Sequence, residues 1–174
     1  MIKINKVPMM GKDEYQYIEN IISDNDIMLE YGAGSSTLYF SKFVKEYVSI
    51  EHDKNWFDIL KECVGDNVKI YHGECYYINN NTHCDYTKEN QKELWRPYFE
   101  MIHNIPKNKY DKILIDGRAR AYCAIEVFEY LKDDGVLLIH DYIGRKKYHD
   151  IVENKYEKIK TINSLGIFKK KKYE

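Results

Sequence analysis

Ile27-Met28-Leu29-Glu30-Tyr31-Gly32-Ala33-Gly34-Ser35-Ser36-Thr37 runs a short apolar stretch into a Gly-x-Gly turn and then into three hydroxyl residues. An apolar run of strand length that stops at glycines, with Ser/Thr opening a helical stretch through about Lys45, reads as strand, tight turn, helix. The unit recurs downstream. Glu46-Tyr47-Val48-Ser49-Ile50-Glu51 is a strand ending in an acid, a helix follows from about Asn55 to Val64, and Val68-Lys69-Ile70-Tyr71 is a third strand. Tyr110-Asp111-Lys112-Ile113-Leu114-Ile115-Asp116-Gly117 again stops at an acid and is followed by a helix from about Ala121 to Leu131. Asp133-Asp134-Gly135 then turns the chain into a fifth strand, Val136-Leu137-Leu138-Ile139-His140-Asp141.

Upstream, Tyr15, Ile18, Ile21 and Ile22 recur at helical spacing, which predicts an amphipathic helix near residues 12 to 23. Downstream, a short helix near Tyr148 to Val152 precedes two strands, near Tyr156 to Ile162 and Leu165 to Lys170, that form an antiparallel hairpin. Strands alternating with helices demand crossover connections, hence a mostly parallel sheet covered on both faces. The expected fold is an α/β three-layer Rossmann-like sandwich of about seven strands with a C-terminal antiparallel hairpin. With 174 residues the chain suits one domain, 1–174, in which 75–109 reads as an acceptor-side insertion.

Lys and Arg number 27 against 28 Asp and Glu, a net charge of −1 that gives no pull toward nucleic acid. No apolar run approaches the roughly 20 residues of a membrane span, and Met1-Ile2-Lys3-Ile4-Asn5-Lys6 lacks a signal-peptide core, so the expected location is cytoplasmic, with no membrane partner. Cys63, Cys75, Cys84 and Cys123 form no CxxC pair. His72, Cys75, His83 and Cys84 suggest a zinc set, but adjacent His83 and Cys84 fit one tetrahedral site poorly, and scattered thiols are preferred.

Ligands of such sheets bind outside the carboxyl ends of the strands, where Glu30, Glu51, Asp116 and Asp141 fall. Gly-x-Gly alone serves any ligand that needs close backbone approach. A carboxylate at Glu30, just before the turn, would repel a pyrophosphate and attract an ammonium or sulfonium. Thr37 stands where a dinucleotide fingerprint wants its third glycine. Glu51, close to 20 residues after the turn, is placed to accept hydrogen bonds from ribose hydroxyls.

Leu29 to Thr37, Val48-Ser49-Ile50-Glu51-His52-Asp53 and Ile113-Leu114-Ile115-Asp116-Gly117 together resemble successive motifs of class I S-adenosylmethionine-dependent methyltransferases. The resemblance covers about residues 27 to 150 and implies S-adenosyl-L-methionine as cofactor. It implies that Glu30, Gly32 and Gly34, with Ala33, Ser35 and Thr37 around them, hold the methionine end. By the same resemblance Glu51 and His52 hold the ribose and Gly73-Glu74 the adenine edge, with Asp116 near the transferring methyl.

Asp116 and the pair His140-Asp141 end neighbouring strands and are the expected catalytic residues. Transfer to oxygen needs a hydroxyl proton removed or an alkoxide stabilised. His140 suits the first task, because its unperturbed pKa lies near neutrality. Asp116 and Asp141 suit the second if they hold Mg2+, and a structural role for His140 also stays open. The Asp116-Gly117 and His140-Asp141-Tyr142 stretches resemble a branch that includes sugar and small-molecule O-methyltransferases. Arg118, Arg120 and Arg145, with Tyr142, are expected on the acceptor side, joined by Lys146 and Lys147, to grip an anionic group on a small-molecule or carbohydrate acceptor. Tyr76, Tyr77, Tyr86, Trp95, Tyr98 and Phe99 would either stack on the acceptor or, for Leu94, Trp95, Tyr98, Met101 and Ile102, form a core helix. Competing readings are a phenolic O-methyltransferase, a nicotinamide-dependent oxidoreductase and a non-catalytic cofactor-binding module. The acceptor's identity and the oligomeric state are not legible.

Overall fold

The computed structural model describes residues 4–75, 89–106, 108–146 and 149–172, with side chains omitted at 89–91. Seven strands form one sheet in the order β3-β2-β1-β4-β5-β7-β6. They are β1 (Ile27–Tyr31), β2 (Glu46–Glu51), β3 (Val68–His72), β4 (Tyr110–Ile115), β5 (Leu131–Ile139), β6 (Tyr156–Ile162) and β7 (Leu165–Lys170). The first five pair in parallel; β7 runs antiparallel to β5 and to β6. The helices are α1 (Lys12–Ile21), α2 (Ser35–Phe40), α3 (Lys54–Lys61), α4 (Glu89–Phe99), α5 (Arg120–Glu126) and α6 (His149–Lys155). Among the described residues no helix is long and apolar enough to cross a membrane.

Period-2 alternation splits the core in two. Leu29 and Tyr31 of β1 face a cluster with Trp95 and Tyr98 of α4, Cys123 of α5 and Val152 of α6. Met28 faces the other cluster, with Ile18 of α1, Phe40 of α2 and Leu165 of β7. Helices therefore cover both sides of the sheet, as the continuous apolar runs of its central strands require.

The anticipated elements are present, with shifted bounds. The helix after Gly34 is α only to Phe40 and tightens to a 3-10 turn over Ser41–Phe43. Asp133-Asp134-Gly135 does not turn the chain: it lies within β5, where the register against β4 shifts between Tyr110 and Lys112. A bulged, solvent-facing strand start carries the same Asp-Asp-Gly composition as a turn. Trp95, Tyr98, Phe99 and Ile102 are all at most 2% exposed, so these aromatics are core and not an acceptor platform.

Candidate functional site

The strand order doubles back between β1 and β4, since β2 and β3 lie to one side of β1 and β4 and β5 to the other. Carboxyl-end loops diverge at such a point and leave a crevice. Here the crevice holds about 640 Å³ and continues, through shared His52, Asp53 and Arg118, into a second cleft of about 710 Å³ lined by His72, Glu74 and Cys75.

Its floor is the glycine turn. Gly32 has φ +94°, and a Cβ there would lie 2.5 Å from Cα and N of Gly117, so this glycine is demanded by the close meeting of the β1 and β4 turns. Gly34 differs: the nearest atom to a Cβ built on it would be Trp56 Nε1 at 3.9 Å. Its surroundings are open cleft, so its missing side chain serves no packing need within the chain. Trp56 Nε1 donates to Ala33 O at 2.6 Å, which ties the turn to α3.

Glu30 and Thr37 are placed behind this floor and not in the cleft. Both are 0% exposed. Ser36, Thr37 and Ser49 all donate hydroxyl hydrogen bonds to the Glu30 carboxylate, Thr37 at 2.5 Å and Ser49 at 3.0 Å. The register Glu30↔Ser49 puts those side chains side by side on one face. Thr37 Oγ1 also accepts from Gly34 N at 2.9 Å. Burial pushes Glu30 up to about 7, against the pull of the three hydroxyls. Glu30 thus braces the turn from beneath, and the expected direct contact to a cationic ligand is corrected to that. Ala33, Ser35 and Ser36 do line the cleft.

Glu51, at the end of β2, lines the cleft beside Asp53 and His52 while only 3% exposed. Its Oε1 accepts from Asp53 N at 2.7 Å. His52 Nδ1 lies 2.9 Å from the same oxygen without the alignment of a hydrogen bond. Gly73 packs against Tyr98 and Ile50, whereas Glu74 lines the second cleft.

At the ends of β4 and β5, Asp116, His140 and Asp141 do converge. His140 Nδ1 is 2.7 Å from Asp116 Oδ1, and Nε2 lies 3.4 Å from Glu14 Oε2 and 3.8 Å from Asp141 Oδ1. Burial alone would lower the imidazole pKa, but the Asp116 hydrogen bond and the charges of Asp116 and Asp141 raise it overall. His140 is only 9% exposed, is not among the residues that line the cleft, and turns both ring nitrogens to the carboxylates of Asp116, Glu14 and Asp141. That geometry favours the structural role left open for His140, holding Asp116, over the general-base one. Asp141 adopts φ +52°. Although burial would raise its carboxyl pKa, Arg120, His140 and Arg145 hold it below its ordinary value.

The Mg2+ expectation fails on the same corner. The Arg120 guanidinium lies between the two carboxylates, 3.3 Å from Asp116 Oδ1 and 3.2 Å from Asp141 Oδ2, where a shared cation would sit. Among the described residues no group of three His, Cys, Asp or Glu is arranged to hold a metal ion. Arg120 also lines the cleft, but its donors go to those carboxylates and to backbone carbonyls of Gly117, His140 and Asp116, which leaves it poorly placed for the expected grip on an acceptor. Tyr142 is 0% exposed, donates to Glu153 Oε1 at 2.7 Å and stacks on His149, so it too leaves the acceptor side. Arg118 and Arg145 remain as cleft-lining cations. Tyr76, Tyr77, His83, Cys84, Tyr86 and Lys147 lie outside the described residues.

Five contributors escaped the sequence. Trp56 carried no motif beyond being an aromatic shortly after Glu51. Ile4, Asn5 and Met9 line the cleft from the N-terminal segment. Glu14 is buried and accepts from Gly11 N, Ser164 N, Ser164 Oγ and Leu165 N, which latches α1 to the β6–β7 turn. Its position three residues after Gly11, the residue preceding α1, was the available signal.

No family model matches the chain, and no curated protein matches its sequence. Solved structures do match. A methyltransferase-like protein from Silicibacter pomeroyi superposes with TM-score 0.77 at 21% identity, over 97% of this chain and 90% of that one. The fold is that of class I S-adenosylmethionine-dependent methyltransferases. A putative caffeoyl-CoA O-methyltransferase from Staphylococcus aureus gives TM-score 0.67 at 16% identity, covering 96% and 87%. A TehB-like SAM-dependent methyltransferase from Corynebacterium glutamicum gives 0.61 at 15%, covering 94% and 89%.

Proposed function

We propose that the chain is an S-adenosylmethionine-dependent methyltransferase acting on a hydroxyl of a carbohydrate or nucleotide-sugar acceptor. The observation that carries the cofactor reading is the open space above Gly34, at the β1–β4 switch point, with the Glu51 carboxylate across it at the end of the next strand. No described residue donates to Glu51 Oε2, so that oxygen is available to a ribose hydroxyl. Neighbours named as methyltransferases support the same reading.

The cofactor would supply an electrophilic methyl on a sulfonium. The chain's own residues bind and orient. Glu51 holds the ribose, with Glu74 and His72 lining the cleft beyond it. The turn 32–34 receives the methionine end through backbone groups, and Asp116 and Asp141 face the acceptor. Asp141, kept ionised by Arg120 and Arg145, accepts a hydrogen bond from the acceptor hydroxyl and sets its attack direction. A carboxylate so stabilised is a weak base, so orientation outweighs proton abstraction.

The acceptor reading rests on polarity. Asn5, Ser35, Asp116, Arg118, Asp141 and Arg145 present hydrogen-bonding groups around the methyl-transfer end, whereas the aromatics of α4 are buried. That lining suits a polyhydroxylated molecule better than a phenol. Arg118 makes no side-chain hydrogen bond with any described residue and would take an anionic group such as a phosphate. The test is methyl transfer from labelled S-adenosylmethionine to nucleotide sugars, polysaccharides and phenols. Transfer to a nucleotide sugar is expected; transfer confined to phenols would overturn the acceptor reading and leave the cofactor reading standing.

A further inference from the structure

The corner that faces the acceptor contains a buried arginine whose contacts no motif required. Arg120 is 7% exposed at the start of α5. Nε donates to Gly117 O at 2.9 Å, Nη1 donates to His140 O, and Nη2 donates to Asp116 O at 3.3 Å. The same guanidinium spans Asp116 Oδ1 and Asp141 Oδ2 at 3.3 and 3.2 Å. One planar cation thus joins three carbonyls and two carboxylates from the ends of two neighbouring strands. Asp141 meanwhile sits in the left-handed region, a conformation that persists where surrounding contacts over-determine it.

We propose that Arg120 is a positioning residue that serves as the resident cation of this corner, in the place a divalent ion would take between two aspartates. Two carboxylates directed at one point repel each other and need a counter-charge. A guanidinium supplies it permanently, since it does not lose its proton, and its planar fork of five donors matches several acceptors at once. A chelator cannot remove it. Its positive charge also excludes a second cation from the same point. The corner is then independent of metal supply, and Asp141 keeps its carboxylate directed toward the cleft. That last consequence rests on the methyl-transfer reading; the cation's role in the corner does not.

The test reads thermal stability and S-adenosylhomocysteine affinity, each with EDTA and then with Mg2+ or Mn2+ in excess. The wild-type chain is expected to be indifferent to all three. Arg120→Ala should lower Tm by about 10 °C, as expected for a broken buried ion cluster in a chain of this size. Mg2+ or Mn2+ should then restore part of the loss, because the place the guanidinium held between Asp116 Oδ1 and Asp141 Oδ2 is open to a cation, even with His140 and Arg145 still beside these carboxylates. A merely structural arginine would give no such rescue. Arg120→Lys should fall between the two and stay metal-insensitive. Metal stabilisation of the wild type, or an Arg120→Ala chain indifferent to metal, would overturn the proposal. If Arg120→Ala does not fold, metal stabilisation of Arg120→Lys or of the wild type still overturns it, and indifference of both supports it. Absent binding of S-adenosylhomocysteine with the predicted metal pattern in Tm would sink the methyltransferase reading alone.

Discussion

Gly32 and Gly34 stand two residues apart in one turn, yet the structure assigns them opposite reasons for being glycine, and alanine at each separates folding from binding. At Gly32 an added Cβ would lie 2.5 Å from the Gly117 backbone with φ at +94°. Left-handed backbone costs an L-residue about 1–2 kcal/mol and overpacking about 1–3 more, so Gly32→Ala should lose about 3–4 kcal/mol. That corresponds to a Tm lower by about 10 °C in a chain of this length. At Gly34 nothing lies closer than 3.9 Å to the added methyl. Gly34→Ala should therefore stay within about 0.5 kcal/mol of wild type in stability. The same methyl projects into the cleft, and forcing a ligand past it should cost about 1–3 kcal/mol, or roughly a 5- to 150-fold weaker Kd. Scanning calorimetry of both variants, with titration of S-adenosylhomocysteine into Gly34→Ala, gives the two readouts. Unchanged affinity in Gly34→Ala would refute the claim that the ligand lies over this glycine, and a fully stable Gly32→Ala would refute the packing argument.

Glu30→Gln addresses pH. A folded carboxyl raised from 4.5 to about 7 contributes stability that is present below pH 4.5 and lost as pH rises through 7, an effect of about 3 kcal/mol. His140, also raised, adds a loss in the same direction above its ordinary 6.5. Denaturant unfolding at several pH values should show wild-type stability falling across this window, and a slope unaltered in Glu30→Gln would contradict the burial account. His140→Asn should lower turnover by about 10- to 100-fold through misplacement of Asp116, with no single ionisation lost from the pH–rate profile. A drop of about a thousandfold or more, with loss of such an ionisation, would restore His140 as the base. Arg118→Ala should raise the acceptor's KM about tenfold or more and leave S-adenosylhomocysteine affinity unchanged; wild-type kinetics at low salt would reduce Arg118 to a solvated rim residue.

Much of the scaffold was legible because parallel strands buried on both faces leave continuous apolar runs, and each such run here ends at a charged or glycine residue. The bounds of β1 and β2 followed from that, whereas β6, exposed along most of its length, and β7 were legible as a closing antiparallel hairpin. Asp133-Asp134-Gly135 misled because a bulged strand start and a turn share composition. The places of Glu51 and Gly34 on the cleft were findable from spacing, since residues at and just after strand ends fall at the carboxyl edge of such a sheet. The roles of Glu30, Thr37, Arg120 and Tyr142 were not, because spacing gives a strand end but not which side chains turn inward to satisfy one another. Glu30 is consumed by three hydroxyls, two of them carried by the very helix it was expected to stand in front of. Arg120 is consumed by the ends of the two neighbouring strands whose connection carries it, a convergence that appears only once β4 and β5 pair.

The central claim is that the crevice between β1 and β4 binds S-adenosylmethionine, and calorimetric titration of the chain with S-adenosylhomocysteine and with NAD tests it most directly. One S-adenosylhomocysteine site per chain is predicted, weakened in Glu51→Ala by about 1–3 kcal/mol through loss of a charge-assisted ribose hydrogen bond, with no binding of NAD. Binding of NAD in its place, or S-adenosylhomocysteine affinity unchanged in a folded Glu51→Ala chain, would contradict it.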